Sequence, residues 1–142
     1  MRTTFVLLTI ALFAAGISCD SVTAPPAQKE PVAREFAPGA KASVKGVERV
    51  PNIIEGNSNI RTDADKEFVK VVFALSGSSA KAEFSRAQIK FVEADGKEKG
   101  PVADWTFADP AGTTVWVYSM PRPVGTKFKA VRLNGVELPL EP

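Results

Sequence analysis

The clearest structural signal in this sequence is Phe68-Val69-Lys70-Val71-Val72-Phe73-Ala74-Leu75, a run rich in β-branched and aromatic residues. Every second side chain of an extended chain points to the same face, and here that face is apolar. Its members are Val69, Val71, Phe73 and Leu75. β-Branched residues also favour strands. The run therefore predicts a strand that buries one face in a core.

The next stretch along the chain predicts a strand that enters a hairpin. Residues 87–94 alternate in the same way, and Ile89 and Phe91 are expected to point inward. The stretch ends in Asp95-Gly96, a pair that favours a hairpin turn because both residues tolerate positive φ.

Two further stretches predict the closing strands. Residues 113–120 are apolar on both faces, which predicts a central strand with Val117 in the core, and the prolines that follow end it. Residues 127–133 then meet Asn134-Gly135, which predicts a hairpin whose second arm is 136–140.

The pattern outside these stretches predicts no long helix. The best helical candidate, residues 78–86, is short, and Ser76-Gly77-Ser78-Ser79 is typical of a loop. Roughly six to eight short strands in about 100 residues predict an all-β fold. The expected architecture is an immunoglobulin-like two-sheet antiparallel β-sandwich, without the Cys-Trp-Cys core of antibody domains because the chain has a single cysteine.

The N-terminal residues are similar to an export signal. A positively charged start, Met1-Arg2-Thr3-Thr4, precedes the uncharged run 5–15, which is shorter than the roughly 20 residues that span a bilayer. Gly16-Ile17-Ser18-Cys19 resembles the lipobox of bacterial lipoproteins, although Gly16 replaces the usual leucine. The resemblance implies cleavage before Cys19 and a diacylglycerol group on its thiol. The alternatives are a soluble secreted protein with a free thiol at Cys19 and an uncleaved membrane anchor.

The sequence divides into three parts. Residues 1–18 are the predicted signal peptide. Residues 19–40 are predicted to be the lipidated Cys19 and a disordered proline-rich tether, because so few bulky apolar residues cannot offset the entropy of ordering the chain. Residues 41–142 are the predicted β-sandwich domain.

The order of these segments resembles the telokin-like immunoglobulin domains of secreted bacterial lipoproteins. The stretches that carry the resemblance are 42–50, 63–65, 66–75, 84–97, 116–121 and 127–133. The resemblance implies an immunoglobulin-type sandwich in an exported lipoprotein, and this family has no shared catalytic residues that transfer to this chain.

Composition narrows the classes of function. The 18 Lys and Arg residues against 16 Asp and Glu give a net charge of +2, which argues against nucleic-acid binding through a concentrated basic face. The chain contains no histidine and one cysteine, so it lacks the residues for histidine-based catalysis, a Cys/His zinc site or a disulfide framework. We therefore expect a protein that is not an enzyme and that has no cofactor.

Acidic residues offer one candidate ion site. Asp63, Asp65 and Glu67 alternate, and carboxylate oxygens are the ligands that Ca²⁺ prefers. Lys66 adds a repelling charge, and the glycine and distal glutamate of a helix-loop-helix calcium loop are missing. A solvated loop is the favoured interpretation, and no metal is predicted.

Aromatic residues offer a second candidate site, formed by Trp105, Phe107, Trp116 and Tyr118. Flat aromatic rings on a β-sandwich can stack on sugars. The favoured alternative is that the Trp and Tyr side chains fill the core between the sheets with their polar atoms hydrogen-bonded.

Basic residues form a third group, and four acidic residues lie between them in the sequence. The basic members are Lys97, Lys99, Arg122, Lys127, Lys129 and Arg132, and the acidic ones are Glu93, Asp95, Glu98 and Glu137. The interleaving favours a mixed solubilising surface over a basic face for anionic headgroups.

These observations together predict a non-enzymatic envelope lipoprotein, exported and lipid-anchored to the periplasmic or cell-surface face of a bacterial membrane. Its expected partner is another envelope protein. The candidate interaction surface is Trp105, Phe107 and Arg122, since the prolines on both sides of Arg122 restrict the backbone. The competing interpretation of that segment is a strand terminator. The alternative function is a binding module for a small molecule, a glycan or a metal ion.

Overall fold

The computed structural model describes residues 31–103 and 106–140, and in this part of the chain it is an all-β sandwich. One sheet contains, in spatial order, β1 (Arg34–Ala37), β2 (Ala40–Val50), β5 (Lys66–Ser76), β9 (Thr114–Tyr118) and β8 (Phe107–Ala108), with β10 (Arg122–Pro123) beside β5. The other contains β12 (Val136–Pro139), β11 (Phe128–Leu133), β6 (Ile89–Glu93) and β7 (Glu98–Lys99). The small hairpin of β3 (Asn52–Glu55) and β4 (Ser58–Arg61) stands apart. The strand pairs are antiparallel, as the sequence predicts.

The core between the two sheets is built from the residues that alternate in the sequence. Val69, Val71, Phe73 and Leu75 of β5 are buried, and so are Phe91 of β6 and Val117 of β9. Ile89 is partly buried and packs against the same cluster. The predicted core is therefore confirmed.

One helix occurs in the described residues, α1 (Ala80–Arg86), and it closes one end of the sandwich. It lies in the stretch that sequence periodicity left as a weak helical candidate. Phe84 is 1 % exposed, and its ring lies 5.2 Å from that of Phe73 and 6.1 Å from that of Phe36. Burial of Phe84 thus ties the short helix to the core, since so few residues form a marginal helix on their own.

The first strand begins earlier than the sequence predicts. Composition predicts a disordered tether for residues 34–37, but they form β1, which pairs with the start of β2 and buries Phe36. Arg34 also donates from Nη1 to the carbonyl oxygen of Glu137 in the other sheet, at 2.7 Å. Sheet pairing and burial of one aromatic ring therefore order a segment whose composition alone favours disorder.

The β1–β2 turn packs closely against the turn that joins β5 to α1. Gly39 and Gly77 both have positive φ, +71° and +108°. A Cβ at Gly77 would overlap the carbonyl oxygen of Gly39 and lie 2.9 Å from its carbonyl carbon. The Ser79 hydroxyl donates to the Pro38 carbonyl oxygen at 2.9 Å. Glycine is required at position 77 both for its backbone conformation and for this close approach.

Candidate functional site

Three sequence predictions lie outside the described part of the chain. These are the signal peptide of residues 1–18, the lipidation site Cys19, and Trp105 of the candidate interaction surface. Their roles stay predictions. Phe107 and Arg122, the other members of that surface, are described, and they make different contacts.

Phe107, Trp116 and Tyr118 form a cluster on the outer face of the first sheet, which we call the outer aromatic cluster. The Phe107 ring is stacked with Trp116 at 6.2 Å and 17°, and meets Tyr118 edge-on at 5.9 Å. Val115 and Val117 of the same strand are buried in the core between the sheets. Because side chains alternate along a strand, Trp116 and Tyr118 point the other way. The expectation that they fill the core between the sheets is therefore wrong, because they pack on the outer face of the first sheet.

The polar atoms of this cluster are hydrogen-bonded, as the sequence analysis expected. Trp116 Nε1 donates to Glu55 Oε1 at 2.7 Å, and the Tyr118 hydroxyl donates to the same oxygen at 2.6 Å. Glu55 ends β3, and Ile53 of that strand is fully buried in a cluster with Phe68 and Tyr118. The Glu55 carboxylate therefore links the β3–β4 hairpin to the outer aromatic cluster through two hydrogen bonds.

The Trp116 ring is already in contact with protein groups. Phe107 stacks on it, and the Lys70 ammonium lies 5.2 Å from its centroid in a cation–π contact. Lys70 also reaches Glu48 at 3.8 Å. Trp116 thus acts in the structure as a packing residue of this sheet face.

The Tyr118 hydroxyl gives a direct spectroscopic test of this arrangement. Burial, followed by the hydrogen bond to the Glu55 carboxylate and its negative charge, raises the pKa of Tyr118 above its ordinary value of 10.0. Tyr118 is the only tyrosine of the chain. We expect ultraviolet titration of the phenolate to show a midpoint above 10 for as long as the protein is folded.

A variant of Glu55 provides a control for this titration, and the raised pKa of Tyr118 also makes the stability of the fold depend on pH. Glu55→Gln removes the charge and should move the midpoint down, while burial keeps it above the ordinary value. The pKa of Tyr118 is higher in the folded protein than in the unfolded chain. The contribution of the protonated hydroxyl to the free energy of unfolding is therefore complete below pH 10 and is lost as the pH rises above that value. A phenolate midpoint of 10 in the folded protein would contradict the hydrogen bond to Glu55.

Arg122 joins the two sheets. Its Nε donates to Glu93 Oε1 at 2.6 Å, and the Glu93 side chain is only 7 % exposed against 29 % for Arg122. Arg122 belongs to β10, beside β5, whereas Glu93 ends β6 in the other sheet. A buried carboxylate needs a paired cation. The guanidinium therefore has a structural partner, whatever else it binds.

Most of the charged residues at 93–137 lie on the surface as oppositely charged pairs, while Glu93 is buried beside Arg122. Arg132 pairs with Glu98, and with Glu137 at 3.0 Å. Lys97 pairs with Asp95 at 3.6 Å. Each of the four acidic residues of the interleaved set thus has a cationic partner, which weakens the alternative of a basic face.

Two of the three acidic residues of the candidate ion site, Asp63 and Glu67, pair with separate cations. Asp63 accepts from Lys66 at 3.1 Å, and Glu67 Oε1 accepts from Arg49 Nη1 at 2.6 Å and from the Gly125 amide at 3.1 Å. Burial raises the pKa of Glu67, but these two donors outweigh it and hold the pKa below its usual value. No cluster of three or more Asp, Glu, His or Cys residues suited to a metal ion occurs in residues 31–103 and 106–140.

The second half of β2, Ser43–Val50, forms an open strand edge of the described fold, which we call the β2 edge. In the described chain it pairs with β5 on one side, while β1 reaches only as far as Ala42 on the other. The pairing register between β2 and β5 shifts at Lys45, which is the extra residue of a β-bulge. As a result, Val47 and Arg49 lie opposite Val71 and Val69, which point into the core.

A groove of about 320 Å³ opens between the sheets beneath the β2 edge. Its floor is Val69 and Phe128, which belong to the core at 1 % and 4 % exposure, and Val47 and Leu140 stand at its sides. Arg49 also lines it, and its Nη2 donates to the Thr126 carbonyl oxygen at 2.7 Å. Sequence reasoning did not single out this groove, because it depends on where β1 stops.

No known protein-family model, curated protein or solved structure matches this chain. In the described residues, no helix has both the length and the apolar character needed to cross a bilayer.

Proposed function

We propose that this chain is a bacterial envelope lipoprotein, lipidated at Cys19, whose β-sandwich is a non-enzymatic module for protein interaction. The observation that carries the proposal is the position of the only cysteine. Cys19 directly follows the signal-like run and stands fifteen residues before Arg34, where the first strand begins. The resemblance to telokin-like immunoglobulin domains belongs to the same proposal.

The spacing between cysteine and fold suits a tethered domain. Residues 20–33 contain three prolines and no aromatic residue. At about 3.1 Å per residue, an extended form of this segment reaches roughly 40 Å. A sandwich anchored in this way would present its edges and loops to neighbouring envelope proteins, and the β2 edge is one of these surfaces.

The anchoring part of the proposal predicts a change of cellular fraction. We expect the wild-type protein to sediment with membranes and Cys19→Ala to lose that attachment, because several acyl chains hold a protein on a bilayer effectively permanently. Asp20→Ala, which leaves the cysteine intact, is the matched control and should stay with the membranes. Mass spectrometry should find an acylated N-terminal Cys19, and an unmodified thiol there would refute lipidation.

The interaction part is tested by affinity capture from an envelope extract. Recovery of one protein in stoichiometric amount favours the interaction module, whereas a clear response on a glycan array or to calcium favours the alternative of a glycan, small-molecule or ion-binding module. The predicted surface is tested with the Trp105→Ala/Arg122→Ala double variant. Thermal melting must first show that it is folded, since the change removes the partner of Glu93. Unchanged recovery would eliminate that surface.

A further inference from the structure

We propose that the β2 edge is the docking site of an extended segment of a partner protein, acidic and apolar in alternation, which adds to the first sheet as a further strand. This inference rests on the proposed function, because it names the surface through which the interaction module would bind. The proposed binding surface is a strand edge with a groove beneath it, and it differs from the loop surface predicted from the sequence.

Within residues 31–103 and 106–140, the outer side of the β2 edge has no strand partner. Among the described residues, β1 begins at Arg34 and pairs no further along β2 than Ala42. The residues just before it, 31–33, are exposed and outside any strand. Ser43–Val50 is an eight-residue edge, about 26 Å long at roughly 3.3 Å per residue. An edge of this kind carries unpaired amide and carbonyl groups that an extended segment completes.

The groove under the β2 edge is the reason that every second side chain of the partner segment is proposed to be apolar. Val47 occupies an inward position, opposite Val71, yet it is 39 % exposed because nothing in the described chain covers it. Side chains of an added strand that point the same way would enter the groove over Val69 and Phe128. Burial of apolar surface there is the main favourable contribution to binding.

The exposed cation Lys45 accounts for the acidic half of the partner. Lys45 is exposed at the bulge, and no ion pair of its side chain occurs in the described residues. Arg49 shares the inward face with Val47 and is already paired with Glu67, so Lys45 is the cation that an acidic side chain of the added strand would meet. The one acidic residue of the edge, Glu48, already lies near Lys70. Opposite charges on directly paired strands are favourable.

Two other occupants fit less well. The preceding sequence of the chain itself offers Gln28-Lys29-Glu30, which does not suit an apolar groove, and Val32 is 64 % exposed. A second copy paired antiparallel about Val47 would place Lys45 opposite Arg49 of its partner, and like charges in directly opposed positions are unfavourable.

The test uses the purified full chain in mild detergent and two synthetic probes. The first is a fluorescently labelled, end-blocked octapeptide that alternates valine with glutamate, and the second has lysine in place of glutamate. We expect saturable binding of the glutamate peptide by anisotropy, about tenfold weaker binding of the lysine peptide, and slower amide hydrogen exchange within Ser43–Val50. Absence of saturable binding would overturn the proposal.

Three variants separate this result from a folding defect. Val47→Lys places a charge at the inward position and should weaken binding about tenfold, whereas Ile54→Lys, at an exposed position of β3, should leave it unchanged. Lys45→Glu should weaken the glutamate peptide and strengthen the lysine peptide, a reversal that unfolding cannot produce. Equal binding by Val47→Lys and wild type contradicts the proposed site.

Two further outcomes are informative. Dimerisation of the chain without peptide, lost in Val47→Lys, would assign the β2 edge to a second copy and overturn the partner-segment proposal. Failure of the peptide experiment would leave lipidation at Cys19 and envelope capture unaffected, since neither depends on Val47.

Discussion

Replacing Phe73 with alanine is expected to lower the free energy of unfolding by about 3 to 5 kcal/mol. The ring is fully buried in the centre of β5, between the two sheets and against Phe84 of α1. Its removal loses the transfer free energy of the ring and leaves a cavity that the surrounding strands fill only in part. Urea unfolding followed by far-ultraviolet circular dichroism measures the change.

The matched control for Phe73→Ala is Ile54→Ala. Ile54 also lies in a strand but is 65 % exposed, so its truncation should change stability by no more than about 0.5 kcal/mol. The wild-type spectrum should show strand with little helix. A loss below about 1 kcal/mol for Phe73→Ala, or a helix-dominated spectrum, would contradict the packing described here.

The other large effect is expected at Gly77→Ala, which should cost about 3 kcal/mol or more. Two penalties add at this position. A φ of +108° is unfavourable for alanine, and the new Cβ overlaps backbone atoms of Gly39, which cannot rotate away as a flexible side chain can. The melting temperature and the urea midpoint measure the loss.

Gly96→Ala isolates the first of these penalties. Gly96 has a φ of +92°, but a Cβ there meets no atom within 4 Å. We expect a loss of about 1 to 2 kcal/mol from backbone conformation alone. Equal losses at positions 77 and 96 would show that the contact between the two turns does not constrain the fold.

The elements predicted best from the sequence are those whose signal is local. β5 and β6 alternate clearly, and Asn134-Gly135 forms the predicted turn with φ values of +50° and +84°. β9 was predicted as a central strand because both faces are apolar. In the structure one face meets the core between the sheets, and the β3–β4 hairpin covers the other.

The elements that were missed depend on contacts distant in sequence. β3 and β4 lie in a stretch dominated by polar residues, and its signals are Gly56 and the isoleucines on both sides of it, especially Ile53 and Ile60. That hairpin is ordered because Ile53 is buried against Phe68. β1 is ordered by its sheet neighbour and by Phe36.

The contacts of the candidate site also depend on residues that are distant in the sequence. β9 ends at Tyr118, before Pro121, as the prolines predict, but Arg122–Pro123 themselves form β10 beside β5. The partner of Arg122 is Glu93, a residue of the opposite sheet. No spacing rule relates two residues that meet only through the packing of two sheets. The groove over Val69 and Phe128 was equally inaccessible to the sequence, because it is defined by the place where a neighbouring strand ends.

The contact between Arg34 and Glu137 has a consequence for the order of folding. It joins the first and last strands of the described fold across 103 residues of chain. Contacts of such sequence separation form slowly, because a long loop must close before any of them contributes. The sandwich therefore closes only after β12 has emerged, and a chain interrupted before Val136 would leave β1 without its neighbour in the second sheet and β11 with a bare edge.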